Sequence, residues 1–335
     1  ESFPNQAKLT DSIYSYASLF KFDNIFSSAA LCKFLLILEE KSIIQCMEAA
    51  KGGNNNSFFF YIDKNTVMAV EDIPYSLDYD IEITILKKTN NNDVRYEFIA
   101  RYMTEEYNNS LSDINNQYIN IRRSSNGFLA LEVNAHQYER EVIHENIINT
   151  DIKQTIIDVE FEDQIAGFDV LYKSPSSAKY VNLVKLLDYS QPIKNPFCYY
   201  QLFDNGKIRL SFNTQDLYFI PESNSELSII LYKTKGDEGN FDSYEGSEIS
   251  VIIGEKYQYP LNYITFAKPI GASKGGMKQK SINEIQSLIN EMYNTHNALT
   301  TENDLQLFFN NYKSRYGGDT NIIFSKKRDD IYERI

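Results

Sequence analysis

The sequence predicts an α+β fold: two mainly antiparallel, hairpin-rich, sandwich-like β domains with helical segments at both ends. Three observations predict it. Between Phe58 and Tyr257, apolar residues recur mostly at every second position, in short runs separated by clusters of Gly, Asn, Asp and Ser. Toward both ends they recur instead at three- and four-residue steps. The 335 residues are also enough for more than one domain of ordinary size. The expected segments are 1–57, helical; 58–172, a first β domain; 173–265, a second β domain; and 266–335, helical.

Residues 10–51 read as helical, because Ala29, Ala30, Phe34, Ile37, Leu38 and Lys41 share helical spacing and Gly52-Gly53 offers a left-handed stop. The longest apolar run lies here, Phe34 to Leu38, closed by Glu39-Glu40-Lys41. It is far short of the roughly 20 residues that cross a bilayer and reads as one buried helical turn. From Phe58 the period becomes two. Ile81, Ile83 and Ile85 and then Tyr96, Phe98 and Ala100 flank the polar tip Asn90–Asp93, which predicts a hairpin. A second hairpin is signalled by Ser124-Ser125-Asn126-Gly127, where Asn-Gly suits the two positive φ angles of a type I′ turn. Strands follow at Ile156–Phe161 and Phe168–Tyr172. Lys173–Lys179, with Pro175 and three serines, reads as a linker or long loop.

Asp204-Asn205-Gly206 then separates the strands Tyr199–Phe203 and Ile208–Phe212. Leu227–Thr234 and Glu248–Ile253 flank the turn Lys235–Asn240, a strand, turn and strand. After Tyr257 the period turns helical again. Ser281 with Glu284 forms a capping box ahead of the apolar face Ile282, Ile285, Leu288, Ile289 and Met292. Thr301 with Asp304 marks a second helix start, whose apolar face is Leu305, Phe308, Phe309 and Tyr312, ended by Gly317-Gly318. No internal repeat at a fixed solenoid period is present.

The net charge of −13 repels phosphate backbones and anionic membranes, so neither nucleic acid nor membrane insertion is expected. The tight basic run Lys326-Lys327-Arg328 is followed at once by Asp329-Asp330 and reads as a solvated face. Cys32, Cys46 and Cys198 have no framework spacing and read as reduced thiols. The 25 tyrosines suit strands and wet protein–protein interfaces.

No constellation assigns catalysis, a cofactor or a metal. His136, His144 and His296 make no zinc motif. Asp78 with Asp80, and Glu160 with Glu162 and Asp163, are the densest small carboxylate groups, of the kind a glycosidase would have to set across a cleft. Glu160 and Glu162 would share one face of a strand, where like charges facing solvent are the commoner case. Asp237-Glu238-Gly239-Asn240 has calcium-ligand residue types without the loop spacing. Gly271–Gly276 precedes a helix, as an anion cradle would, but lacks the P-loop spacing and reads better as a hinge or tight loop.

Two phrases carry a resemblance. LSIILYKTKGDEGNFDSYEG contains a Thr-x-Gly-x-x-Gly-Asn turn in Thr234, Gly236, Gly239 and Asn240. ASKGGMKQKSINEIQSLINEMYNTHNALTTENDL follows it. Together they resemble the passage from β domain to helical part in the baseplate wedge proteins of contractile-tailed bacteriophages, the baseplate J-like group. Thr295, Ala298, Leu299, Thr300, Thr301 and Asp304 fit that group's pattern, while His296 or Asn297 stands where it commonly has Arg. Asp158–Ser174 and residues 42–101 resemble long wedge proteins of large phages more weakly.

The resemblance implies a structural part of the virion tail baseplate, made in the host cytoplasm, with no catalytic residue and no cofactor. Its partners would be other wedge subunits and copies of itself. Leu305, Phe308, Phe309 and Tyr312 would serve as an interface, and Gly275 and Gly276 would let the chain turn at the joint. It also implies a fragment of a longer subunit, in keeping with a chain that starts at Glu1 without Met. Two rivals stand beside it. One is a carbohydrate- or receptor-binding β module of a tail or cell-surface protein, marked by a Tyr platform with Asp or Asn beside it. The other is a glycan-cleaving enzyme working through Glu160 and Glu162.

Overall fold

The computed structural model describes residues 10–19, 26–49, 56–90, 93–104, 117–147, 154–187, 195–203, 206–213, 219–244, 246 and 249–295. In chain order the elements begin with α1 (Thr10–Leu19), β1 (Leu31–Glu39), α2 (Glu40–Cys46), β2 (Glu48–Ala49), β3 (Ser57–Ile62), β4 (Val67–Val70), β5 (Ile73–Leu77), β6 (Ile81–Asn90) and β7 (Asp93–Tyr102). Next come β8 (Tyr118–Ile119), β9 (Ile121–Arg123), β10 (Phe128–His136), β11 (Glu139–Ile147), β12 (Gln154–Glu160), β13 (Ile165–Lys173), β14 (Val181–Asn182) and β15 (Val184–Leu187). The last are β16 (Phe197–Phe203), β17 (Lys207–Asn213), β18 (Ser225–Lys233), β19 (Ser250–Ile252), β20 (Ile264–Pro269) and α3 (Ile282–Thr295). Antiparallel strand in several sheets dominates. Contacts divide the chain into a unit drawn from both ends, 1–25 with 281–335, and a unit spanning Phe26–Lys280.

The described residues of the second unit form four sheets. A seven-stranded sheet runs β19-β4-β5-β10-β1-β20, with β9 also on β10, and a five-stranded sheet runs β2-β3-β6-β7-β8. They share one core. Phe34, Leu36 and Leu38 of β1, Tyr75 and Leu77 of β5 and Leu129, Leu131 and Val133 of β10 pack with Phe60 and Ile62 of β3 and Ile81, Ile83 and Ile85 of β6. The other two sheets are four-stranded, β11-β18-β13-β14 and β12-β17-β16-β15. The ring of Phe168 on β13 meets that of Tyr200 on β16 at 5.5 Å between the two. Phe219 sits between Tyr172 and Phe197 in the same way.

The order along the chain is nested. Strands β11 to β18 form the small sheet pair and lie between β10 and β19 of the large pair. The chain therefore enters the small pair through residues 137–138 and leaves it after Lys233. The expected boundary at 172–173 fails for this reason: β13 ends there, and its partner β18 lies beyond it. Lys173–Lys179 is no domain linker either, since β13 and β14 on its two sides pair directly, Leu171 with Asn182. The strands flanking Lys235–Asn240 make no hairpin. β18 stays in the small pair, while β19 pairs with β4 in the large one.

A helix through 10–51 is also corrected. Residues 31–39 are strand, and β20 carries strand into the segment expected to be helical from 266. β1 lies between β10 and β20. Cys32, Phe34, Leu36 and Leu38 are buried on one face, and Leu35 and Ile37 are half-buried on the other. A central strand covered on both faces loses its polar alternation and can imitate helical spacing. The hairpin of β6 and β7 has the expected partners, Ile83 opposite Ala100 and Ile85 opposite Phe98. At Ser124–Gly127 only Gly127 takes a positive φ, +80°, so this is no type I′ turn. Among the described residues the two consecutive left-handed ones are Glu71 (φ 49°) and Asp72 (φ 67°), between β4 and β5.

In the first unit α1 and α3 pack together. Ile13, Tyr14 and Ala17 of α1 and Ile285 and Ile289 of α3 are buried. The Ser281 backbone N–H donates to Glu284 Oε2 at 2.7 Å, and the Glu284 N–H reaches Ser281 Oγ at 3.4 Å. Thr301, Asp304, Leu305, Phe308, Phe309 and Tyr312 lie outside the described residues.

Candidate functional site

The motif residues Thr234, Gly236, Gly239, Asn240, Gly275 and Gly276 come together where the chain leaves the small sheet pair. Gln137, on the way in, is the receiver. Its side-chain oxygen accepts the Thr234 hydroxyl and the Lys235 N–H, each at 2.8 Å, and its own N–H donates to the Ala30 carbonyl at 2.7 Å. Thr234 Oγ1 in turn accepts the Gly236 N–H at 3.1 Å. Entry and exit of the inserted pair are thereby tied by one buried amide.

A single 3₁₀ turn, Gly236–Gly239, then brings Asn240 against Gly276. Their contact is reciprocal. Asn240 Nδ2 donates to the Gly276 carbonyl at 2.8 Å, and the Gly276 N–H donates to Asn240 Oδ1 at 2.9 Å. Gly236 and Gly276 are there because backbones touch. A Cβ on Gly276 would lie 2.1 Å from the Gly236 carbonyl oxygen. Gly236 has φ +59°, and a Cβ there would meet the Met277 oxygen at 3.0 Å. The joint expected at Gly275-Gly276 is in part corrected: Gly276 is a locked contact, and only Gly275 (φ +93°) has open space around it.

Around this clasp the chain's two flanks are laced. Ser28 and Met277 exchange hydrogen bonds at 2.9 and 3.1 Å, and Leu31 and Lys274 at 2.8 and 3.1 Å. Ser27 Oγ donates to Gln164 Oε1 at 2.8 Å and accepts the Gln279 N–H at 3.1 Å. Below, the hydroxyls of Tyr75 and Ser273 converge on the Gly239 carbonyl. Burial pushes the Tyr75 phenol up to about 12, so it stays neutral. Gln137, Tyr75, Ser273 and Gln164 carry no local sequence signal; they are recruited by tertiary position alone.

A second cluster, made of charges, joins the same pieces. Arg140 on β11 donates to the Lys64 carbonyl at 3.0 Å, to the Leu77 carbonyl and to the Tyr138 hydroxyl at 2.9 Å. Tyr138 donates onward to Asp78 Oδ1 at 2.9 Å, and His136 Nδ1 lies 2.8 Å from the same oxygen. Burial opposes the His136 charge, but the Asp78 carboxylate outweighs it and raises the imidazole above its ordinary value. Beside them Asp80 accepts the Lys64 N–H at 2.7 Å, the Lys256 ammonium and the Tyr257 hydroxyl. Burial, then the positive charges of Arg140 and Lys256, pull the Lys64 amine down to about 8. Asp78 and Asp80 thus sit in separate hydrogen-bond sets rather than across a cleft.

The remaining candidates are dispersed. β12 ends at Glu160, so Glu162 falls past the strand and the two do not share a strand face. His144 is exposed on β11, and His296 lies outside the described residues. Among the described residues no group of three or more His, Cys, Asp or Glu is placed to hold a metal ion. None of their helices is long and apolar enough to cross a membrane. A row of half-buried rings runs along one side of the five-stranded sheet: Phe59 and Tyr61 at 6.4 Å, and Tyr61 and Tyr257 at 5.0 Å, with planes inclined by 27° and 18°. No protein-family model matches the chain, and no curated protein matches it significantly in sequence.

Proposed function

We propose that this chain is a structural subunit of a contractile-tail baseplate wedge in the virion, acting through protein–protein assembly contacts and without catalysis. Other wedge subunits and copies of itself would be its partners. On this reading the two sheet pairs are the two sandwich-like β domains, and α1 and α3 belong to the helical ends. One observation carries most weight. The residues that resemble the family's motif spend their polar groups on one another and on the chain's own crossings, as a rigid building block requires and a reactive site does not. Purified tails of a phage encoding this chain, probed by mass spectrometry and by gold-labelled antibody to 26–280, should show it at the baseplate end. Tails lacking it would sink the proposal.

A carbohydrate-binding β module is the second reading, favoured by the ring row Phe59–Tyr61–Tyr257 with Asp80 beside it. Against it, Tyr61 and Tyr257 stack on each other, and Asp80 is engaged by Lys64, Lys256 and Tyr257. A glycan screen that finds a ligand lost on Tyr61→Ala would promote this reading.

A further inference from the structure

The described residues give the four sheets nine edge strands, and eight of them are guarded. β2, β8 and β14 have only two residues each, β9 and β19 three and β15 four. β20 closes on Lys268-Pro269. β11 is long but carries Glu139, Arg140, Glu141, His144 and Glu145. Short edges, prolines and charges are the usual means by which a sheet refuses another strand. β12 has none of these over most of its length. It offers seven residues, QTIIDVE, with Ile156 50% exposed on the outer face. Its one central charge, Asp158, is already matched by Lys207 at 2.6 Å and Arg209 at 2.7 Å on β17.

We infer that β12 is a self-pairing edge: two copies of this chain join antiparallel through it, centred on Ile157, to make one continuous eight-stranded sheet. Charge distribution selects this occupant. About Ile157, Ile156 lies opposite Asp158 of the partner subunit and Gln154 opposite Glu160 of the partner subunit, and the reciprocal pairs follow from the two-fold axis. No like charges stand directly opposite. The same operation on β11, centred on Ile143, sets Glu141 against Glu145 of the partner subunit, twice. With −13 on each chain, long-range repulsion opposes the pairing, so added salt tightens it. The contact rests on the edge comparison and holds whether or not the baseplate reading does. It would give that reading a self-contact that a ring of subunits could multiply.

Sedimentation or light scattering of the full chain across concentration and salt tests it. A dimer that strengthens with concentration and with salt is expected. Ile156→Asp places like charges opposite each other at two positions and should weaken the dimer by about tenfold or more. Ile156→Lys at the same exposed site faces Asp158 of the partner subunit and should dimerise at least as well as the parent. Both variants should keep the parent's circular dichroism and melting behaviour, since Ile156 is half in solvent. A monomer at every concentration, a dimer indifferent to Ile156→Asp, or one that Ile156→Lys breaks equally would each overturn the inference.

Discussion

Two clusters tie the small sheet pair to the large one, and they do it with opposite chemistry. The clasp of Gln137, Thr234, Asn240, Ser273 and Tyr75 uses neutral groups and backbone amides at near-zero clearance. The cluster of Arg140, Asp78, His136, Asp80, Lys64 and Lys256 uses charges, several of them partly open to water. Neutral hydrogen bonds cost less to bury than ions, so Gln137, Thr234, Ser273 and Tyr75 can lie deep and be geometrically exact, with Asn240 at the exposed rim. The clasp should be sensitive to volume and indifferent to pH. The charged cluster tolerates looser packing, since guanidinium and ammonium groups reach their partners on long stems, but it answers to protons. A junction built both ways stays defined in position when either term weakens.

The largest effect should come from breaking the clasp sterically. Gly276→Val puts carbon within 2.1 Å of the Gly236 carbonyl, a backbone atom that cannot step aside. A loss of about 3 kcal/mol or more is expected in denaturant unfolding. Gly275→Ala pays only for its positive φ, with nothing within 4 Å, and should cost about 1 kcal/mol. Equal losses would mean that close approach is not what Gly276 supplies. Next in size, Arg140→Ala strips donors from the Lys64 and Leu77 carbonyls and from the Tyr138 hydroxyl, and should cost about 2 kcal/mol. An Arg140→Ala loss under a few tenths of a kcal/mol would reduce the charged cluster to a surface ornament.

The same contrast explains what could be read from the sequence. Alternation in Ile81–Ile85 against Tyr96–Ala100 located the β6–β7 hairpin, because one face of that sheet is core and the other is not. β1 defeated the same rule, because it is covered on both faces. Asn126-Gly127 suggested a type I′ turn that Glu71-Asp72 adopts instead, with tertiary pairing of β4 and β5 overriding residue preference. Half of the clasp was visible as a turn motif and a glycine pair, though the pair read as a hinge and not as a close backbone contact. Its receiving half was not. Gln137 lies 97 residues from Thr234, and nothing in a single sequence marks a glutamine that will accept two hydrogen bonds across an insertion. The charged cluster was invisible for the same reason, with Lys256 lying 176 residues from Asp80.

The smallest effect, and the sharpest test of the contrast, is pH. Asp78 raises His136 above its ordinary value, so the folded state holds that proton more tightly than the unfolded chain. The stability this adds is complete below about pH 6.5, the unfolded value, and is lost as pH rises through the folded one. Lys64 has the opposite sign. Its amine is lowered to about 8, so its charge costs stability below that pH, and the penalty is relieved between about 8 and the ordinary lysine value. From about pH 6.5 upward, before Lys64 begins to titrate near 8, the histidine's contribution should make the melting temperature fall as pH rises. Asp78→Asn removes the carboxylate that holds the proton and should flatten that slope. Gly276→Ala should lower the whole curve and leave its slope alone, because the clasp titrates nothing in this range. A slope unchanged by Asp78→Asn would show that the charged cluster is not where the protons are bound. The division between a neutral and an ionic junction would then have to be redrawn.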